Sequence, residues 1–374
     1  MNDPSAILER AFARAAADPL TPLVQDAQIL DRAEYVCRCL RNRAGVRLLL
    51  ACLLAKIDRP GVDLRKPYTE IGDSDAYSGR HYDETYVTHF VNAHRLPCNS
   101  TTAFLTPALR NIDRTLTIDL ELVGRPRQLY INVLQLLDDV HARRVAADDL
   151  LAELIRILWV MREEKANRMT TLLIGLRQTS DVMPLSSEAI ATLIGQHMAC
   201  KNSSRLPVLI VAAAYQVAGA KIGERLLPLK GHNAADEQTG ALGDVEICLE
   251  GDDHVVTAYE MKLKRVTIDD IDRALQKVAA ANGRIHNYIF VTSDVIDDTV
   301  KSYAVEAYDR TGGTEFIILD CLGFLRHFLH FFHRLRLAYL DAYQELVLAE
   351  PDSAVSQPLK EAFLALRQAA EADV

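Results

Sequence analysis

GDVEICLEGDDHVVTAYEMKLK, residues 243–264, holds two β-like runs on either side of a turn-rich Gly251-Asp252-Asp253. The first run carries Asp244; the second carries Glu260 and Lys262 in the spacing E-x-K. Side chains alternate along a strand, so Glu260, Lys262 and Lys264 leave on one face. Tyr259, Met261 and Leu263 leave on the other, the face expected to meet the core. If the two runs pair as a hairpin, Asp244 reaches the edge that bears Glu260 and Lys262. Two carboxylates can bind a hard divalent cation, and an adjacent ammonium can orient or deprotonate a water. The combination outlines a site for cutting a phosphodiester.

The neighbouring sequence sets this hairpin in an α/β frame. Downstream, Thr267-Ile268-Asp269-Asp270-Ile271 starts a helix that runs to about residue 281, closed by Asn282-Gly283. IHNYIFVT, residues 285–292, reads as a strand, 294–308 as a helix, Gly312-Gly313 as a turn and EFIIL, 315–319, as a strand. A long amphipathic helix is expected over about 322–348 and a shorter one over about 359–370. Upstream, Pro184 ends one pattern and Ser186-Ser187-Glu188 begins a helix to about Cys200. Another begins near Ser203-Ser204, with Pro207 in its first turn, where proline is tolerated. From about 185 the order is therefore α, α, β, β, α, β, α, β, α. The fold class is α/β (α+β), with a mixed sheet flanked by helices.

Residues 1 to about 65 read as helices, with Val46, Leu48, Leu49, Cys52, Leu53 and Ile57 at helical spacing. Residues 127–178 are helical again. Between them, 66–111 is long, polar and aromatic, with Tyr68, Tyr77, Tyr82 and Tyr86 among Asp, Ser, Arg and Gly. The tyrosines argue against disorder, and long ordered segments of weak periodicity are often functional. The expected division is a mainly helical N-terminal domain over 1–180, a second domain over 185–350 and a helical tail over 351–374.

The chain of 374 residues is 49% hydrophobic and 25% charged, with 42 Lys plus Arg against 51 Asp plus Glu, a formal net charge of −9. A basic coat is absent, which argues against tight indiscriminate DNA binding. A local field can still attract DNA. Seven cysteines without a C-x-x-C pair make a disulfide scaffold or zinc ribbon a poor reading. The first residues, MNDPSAILERAF, have no charged-then-apolar signal pattern, and no apolar run is long enough to span a bilayer. A cytoplasmic location without membrane contact is expected.

The element order, with aspartate on one strand and E-x-K on the next, resembles the PD-(D/E)xK nuclease superfamily over roughly 185–320. Within it the whole chain is similar to the SacI-type restriction endonucleases. NRAGVRLLLACLLAKI (42–57), KPYTEIGDSDAYSGR (66–80) and CNSTTAFLTPALRN (98–111) carry that likeness. The resemblance implies a four-stranded mixed sheet and a restriction-endonuclease-like core. It also implies a Mg²⁺ site on Asp244 and Glu260, completed by the Met261 backbone carbonyl, with Lys262 as the catalytic ammonium. It implies cleavage of double-stranded DNA to 5′-phosphate and 3′-hydroxyl ends, and a two-fold homodimer on a palindromic site. Two departures stand out. The proline that precedes the aspartate in the superfamily is Gly243 here, and the helix at 204–220 carries no carboxylate. The third ligand is left between Glu246, two residues from Asp244, and Glu224, just beyond that helix.

Segment 66–111 is the expected base reader. Arg80 suits guanine, Asp83 the cytosine amino group and Asn99 adenine, with Tyr82 beside them. The same segment could instead be a structural connection between domains. Lys264 and Arg265 suit phosphate contact or simple solvation equally. His327, His330 and His333 fall at i, i+3, i+6 without the neighbouring ligands a metal needs. Two other functions fit the same residues: a structure-specific repair nuclease, and a DNA-binding protein with a decayed site.

Overall fold

The computed structural model describes residues 3–39, 41–99, 101–177, 184–230, 241–281 and 284–372. The expected helix-closing pair Asn282-Gly283 lies outside them. The chain divides into two compact units, Met1–Arg168 and Met169–Val374.

The first unit is helical: α1 (Pro4–Ala17), α2 (Ala27–Arg38), α3 (Ala44–Asp58), α4 (Arg127–His141) and α5 (Ala147–Arg177), which runs on past the division. Helix α3 is buried from Ala44 to Ala55, so it is apolar nearly all round, as a central core helix must be. Arg47 interrupts that helix and is itself fully buried. A second helical stretch runs through Gly79–Tyr82, Asp83–Val87 and Thr88–Ala93, the middle piece being a π-helical turn. Segment 66–111 is thus folded onto the core: Tyr68, Tyr77, Tyr82, Phe90 and Phe104 are all buried.

The second unit holds α6 (Ser187–Met198), α7 (Leu206–Ile222), β1 (Glu224–Leu226), β2 (Val245–Leu249) and β3 (Val255–Lys262). It continues with α8 (Ile268–Ala280), β4 (Asn287–Thr292), α9 (Asp298–Thr311), β5 (Glu315–Asp320), α10 (Cys321–Phe331), α11 (Arg336–Ala349) and α12 (Gln357–Ala372). The sheet order is β1-β2-β3-β4-β5. The first three strands pair antiparallel and the last three parallel, with α8 and α9 as the crossovers between parallel neighbours. This is the expected mixed sheet flanked by helices, with five strands rather than four. The added β1 has only three residues, too few to show a period.

Local chemistry fixes the element ends. Ser186 Oγ accepts the Ala189 N–H at the start of α6, and Pro207 sits in the first turn of α7. Gly223, at φ 73, closes α7 in the left-handed conformation that a Cβ disfavours. The expected single helix over 322–348 is broken. Phe332, at φ −103 and ψ 42, ends α10, and His333–Leu335 forms a 3₁₀ turn before α11. The three histidines therefore do not share one helix. The segment expected as a separate tail folds into the second unit, where Leu359, Phe363 and Leu364 join the core.

Both faces of the sheet are covered. Val245, Ile247, Tyr259, Ile289 and Val291 face the cluster formed with α6, α7, α10, α11 and α12. Ala258, Tyr288, Phe290 and Phe316 face the cluster formed with α8 and α9. The parallel strands read as near-continuous apolar runs for this reason. The face that carries Glu260 and Lys262 is thus not an outer face: it lies under α8.

Candidate active site

Strand β3 delivers Glu260 and Lys262 at its C-terminal end, in the parallel part of the sheet next to Phe290 and Thr292 of β4. In such sheets the carboxyl ends of the strands are where ligands bind. β2 and β3 pair antiparallel, Val245 opposite Tyr259. Asp244 stands just ahead of β2 and is exposed. Its N–H donates to the Tyr259 carbonyl at 2.7 Å, and its Oδ2 accepts the Met261 N–H at 2.7 Å. Asp244 is therefore fastened to β3 on both sides of Glu260. On an extended strand the N–H and C=O of one residue leave toward the same neighbour, so Met261 also turns its carbonyl to the Asp244 edge.

Gly243 makes this approach possible. A Cβ there would lie 2.5 Å from the Tyr259 carbonyl oxygen and 3.0 Å from its carbon. Both are backbone atoms of a central strand and cannot rotate away. Glycine at 243 is thus what lets the Asp244 turn lie against β3. Gly243→Ala is expected to lower the melting temperature of the second unit, at a cost of roughly 1–3 kcal/mol. Calorimetry checks it, and an unchanged transition would show that the turn moves freely.

Glu260 and Lys262 sit in a network of charges. Lys262 Nζ lies 2.6 Å from Glu260 Oε1 and 3.1 Å from Asp270 Oδ1. Lys277 Nζ lies 3.2 Å from Glu260 Oε2. The Tyr288 hydroxyl contacts the same Oε2 and lies 2.8 Å from the Leu242 carbonyl. Arg273 pairs with Asp270. Burial pushes the Glu260 carboxyl up, yet Lys262, Tyr288 and Lys277 outweigh it and hold it below the ordinary carboxylate range. Burial lowers Lys262, but Glu260 and Asp270 prevail and its ammonium is held above the usual lysine value. Asp270 is lowered to about 2: burial opposes this, while hydrogen bonds from Thr267 and the charge of Lys262 impose it.

Asp270, Lys277, Tyr288 and Arg273 were not expected from the sequence. One signal was visible: Thr267-x-x-Asp270 is a capping-box pattern directly after the E-x-K strand.

The remaining expected residues are placed as follows. Glu246 is buried; it pairs with Lys230 at 3.0 Å and accepts the Leu242 N–H at 2.7 Å. Glu224 lies opposite Leu249, at the end of β2 remote from Asp244. Five residues of strand separate the two positions, about 16 Å. The structure therefore does not bring Glu224 to Asp244 and Glu260. Burial raises its carboxyl, and Tyr215 is its hydrogen-bond partner. Lys264 and Arg265 are exposed just past β3.

In segment 66–111 the expected base readers part company. Arg80 is exposed and pairs with Glu84 at 2.8 Å. Asp83 is fully buried on Arg47 at 2.5 Å, with Thr102 Oγ1 at 2.6 Å and the Ala103 N–H at 2.8 Å. Tyr82 is buried, its hydroxyl donating to Asp58 at 2.6 Å. Asn99 gives its backbone carbonyl to Arg47. As base readers, Asp83 and Tyr82 are corrected: burial takes both side chains out of reach of a ligand, and their polar atoms serve the core.

The donor set fits a hard divalent ion. Asp244 and Glu260 supply carboxylate oxygens; Glu260 Oε2 is taken by Tyr288 and Lys277, while Oε1, which faces Lys262, keeps a lone pair for a cation. Among the described residues no group of three or more His, Cys, Asp or Glu is gathered for a metal. No helix among them is long and apolar enough to cross a membrane.

Residues 186–293 match the family model of the SacI restriction endonuclease C-terminal domain. The matched span contains Asp244, Glu260, Lys262, Asp270 and Lys277. The chain is thus similar to SacI-type restriction endonucleases, a nuclease family whose partner is DNA. No curated protein matches the chain.

Proposed function

We propose that the chain is a type II restriction endonuclease: a Mg²⁺-dependent, sequence-specific enzyme that hydrolyses both strands of double-stranded DNA. The observation that carries this reading is the Asp244–Met261 clasp around Glu260, with Lys262 beside it, inside the restriction endonuclease match. Asp244 and Glu260 would hold Mg²⁺, with the Met261 carbonyl on the same edge. The bound ion would supply a Lewis acid and an acidified water. Water attacks phosphorus, the bond to O3′ breaks, and the ends are a 5′-phosphate and a 3′-hydroxyl.

Lys262 has two roles open to it by sequence, to orient the water or to deprotonate it. The contacts of its Nζ with Glu260 and Asp270 favour the first, because two carboxylates beside it hold the group as an ammonium, a poor base. It can donate hydrogen bonds to the water and offset negative charge that develops on the phosphate. A palindromic target would be met by a two-fold homodimer, one site per strand.

Incubation of the protein with plasmid DNA and Mg²⁺ tests the reading. Discrete fragments with defined ends are expected; a smear, branched-DNA cutting or an uncut plasmid would overturn it. EDTA should abolish cutting, and full activity in EDTA would remove the metal.

Arg80 is the candidate reader that remains exposed. Its partner Glu84 is also exposed, and such a pair is held weakly enough to open onto a base. Arg80→Ala should cost about 1–3 kcal/mol on the cognate duplex if the contact to guanine is bidentate. Affinity for random duplex at the same salt should change much less. Equal losses on both duplexes would place base readout elsewhere.

A further inference from the structure

We infer that Asp270 is a positioning residue for Lys262, and that the capping box of α8 is the device that holds it there. The inference rests on the nuclease reading for its meaning, and on the geometry for its content.

Lys262 has two carboxylate partners of different character. Glu260 belongs to the pair that would hold the metal, so its oxygens are wanted elsewhere. Asp270 stands outside that pair, 3.1 Å from Lys262 Nζ through Oδ1. Its other oxygen, Oδ2, accepts the Thr267 N–H at 2.9 Å and the Thr267 hydroxyl at 2.8 Å. The Thr267 Oγ1 in turn receives the Asp270 N–H at 3.3 Å. The carboxylate is thus fixed by one oxygen to a helix start, while the other is shared between Lys262 and Arg273. Side chains with many staggered states need such a fixed partner, since a lysine has four rotatable bonds and the ammonium acts only where it is placed. Asp270 is also buried, at 8% exposure, so water competes poorly for the contact.

The consequence is a division of labour between the two partners of Lys262. When the oxygens of Glu260 turn to a cation, Asp270 keeps Lys262 at the end of β3. Arg273, one turn on, contacts the same Oδ1 and helps to hold that oxygen in place. Lys277 balances Glu260 from the same helix face. Helix α8 thereby carries the supports for both residues of the E-x-K pair.

Asp270→Asn tests the clamp, since it keeps the size of the side chain and removes the charge. In the metal-free protein without DNA, acylation of Lys262 by an amine reagent, read by peptide mass spectrometry, should rise at least about threefold as the amine loses a partner. An unchanged labelling rate, with the melting temperature preserved, would overturn the inference whether or not the protein cuts DNA. In single-turnover cleavage, the variant should lose about ten- to a hundredfold in rate with little change in DNA affinity. A double-mutant cycle separates positioning from general damage: in a Lys262→Ala background, Asp270→Asn should cost nothing further. Equal losses in both backgrounds would make Asp270 a structural residue only. A wild-type chain that cuts no DNA would sink the nuclease reading and leave the labelling result standing by itself.

Discussion

Lys262→Ala is expected to slow cleavage by about a hundredfold or more while DNA binding and the fold stay close to wild type. The fold survives because the residues left behind keep partners. Glu260 retains Lys277 at 3.2 Å and the Tyr288 hydroxyl, and Asp270 retains Thr267 and Arg273. No buried carboxylate is stranded, so the large penalty for an uncompensated charge does not arise. Cleavage fails because the group removed acts on the water and on charge that forms only in the transition state. A loss of at least about a hundredfold follows, close to 2.7 kcal/mol of barrier. Lys262→Arg should recover little, since a planar guanidinium does not take the place of a compact ammonium. The measurement is single-turnover cleavage at saturating enzyme, beside a gel-shift titration with Ca²⁺ in place of Mg²⁺. A variant that retains more than a tenth of the rate would move the role to Lys277, the other ammonium on Glu260.

Asp244, Glu260 and Lys262 were legible because the information is local. A two-residue period, a Gly-Asp-Asp turn and an E-x-K spacing lie within twenty-two residues of sequence, and pairing follows from the turn. Asp270, Lys277 and Tyr288 were not, because each reaches Glu260 or Lys262 through tertiary folding: α8 crosses back over β3, and β4 returns beside it. The faces of the sheet were half read. Tyr259 and Met261 do face a core, but so do Glu260 and Lys262, since the parallel half of the sheet has helices on both sides. Alternation tells which residues share a face; it does not tell what covers that face. The break after Phe331 was invisible to periodicity, because α10 and α11 continue the apolar pattern on both sides of it.

The misreading of Asp83 has a different source, and it sets up the largest stability effect expected in the chain. A polar residue in a long irregular segment reads, from sequence, as a ligand for a base. The decisive signal lay elsewhere, in Arg47 within AGVRLLLACLLA: an arginine inside an all-apolar helix must be buried with a partner. Asp83 is that partner on Nε, and Asn99 O and Thr88 Oγ1 each accept a hydrogen bond from one of the two terminal guanidinium nitrogens. Burial pushes the Asp83 carboxyl up despite Arg47, Thr102 and the Ala103 N–H, so the ionised pair bears a real desolvation cost. Such a pair adds little stability over an apolar one, yet half of it is far worse than either. Asp83→Ala should therefore destabilise the first unit by about 3–5 kcal/mol. The corresponding fall in melting temperature is roughly 10 °C. The joint replacement Arg47→Met with Asp83→Leu should recover most of the loss, because no charge is then left inside. Calorimetry on the three proteins measures both steps. A single variant that melts like wild type but loses DNA affinity would return Asp83 to the DNA surface; a double variant as unstable as the single would mean that the network, and not the stranded charge, holds this segment on α3.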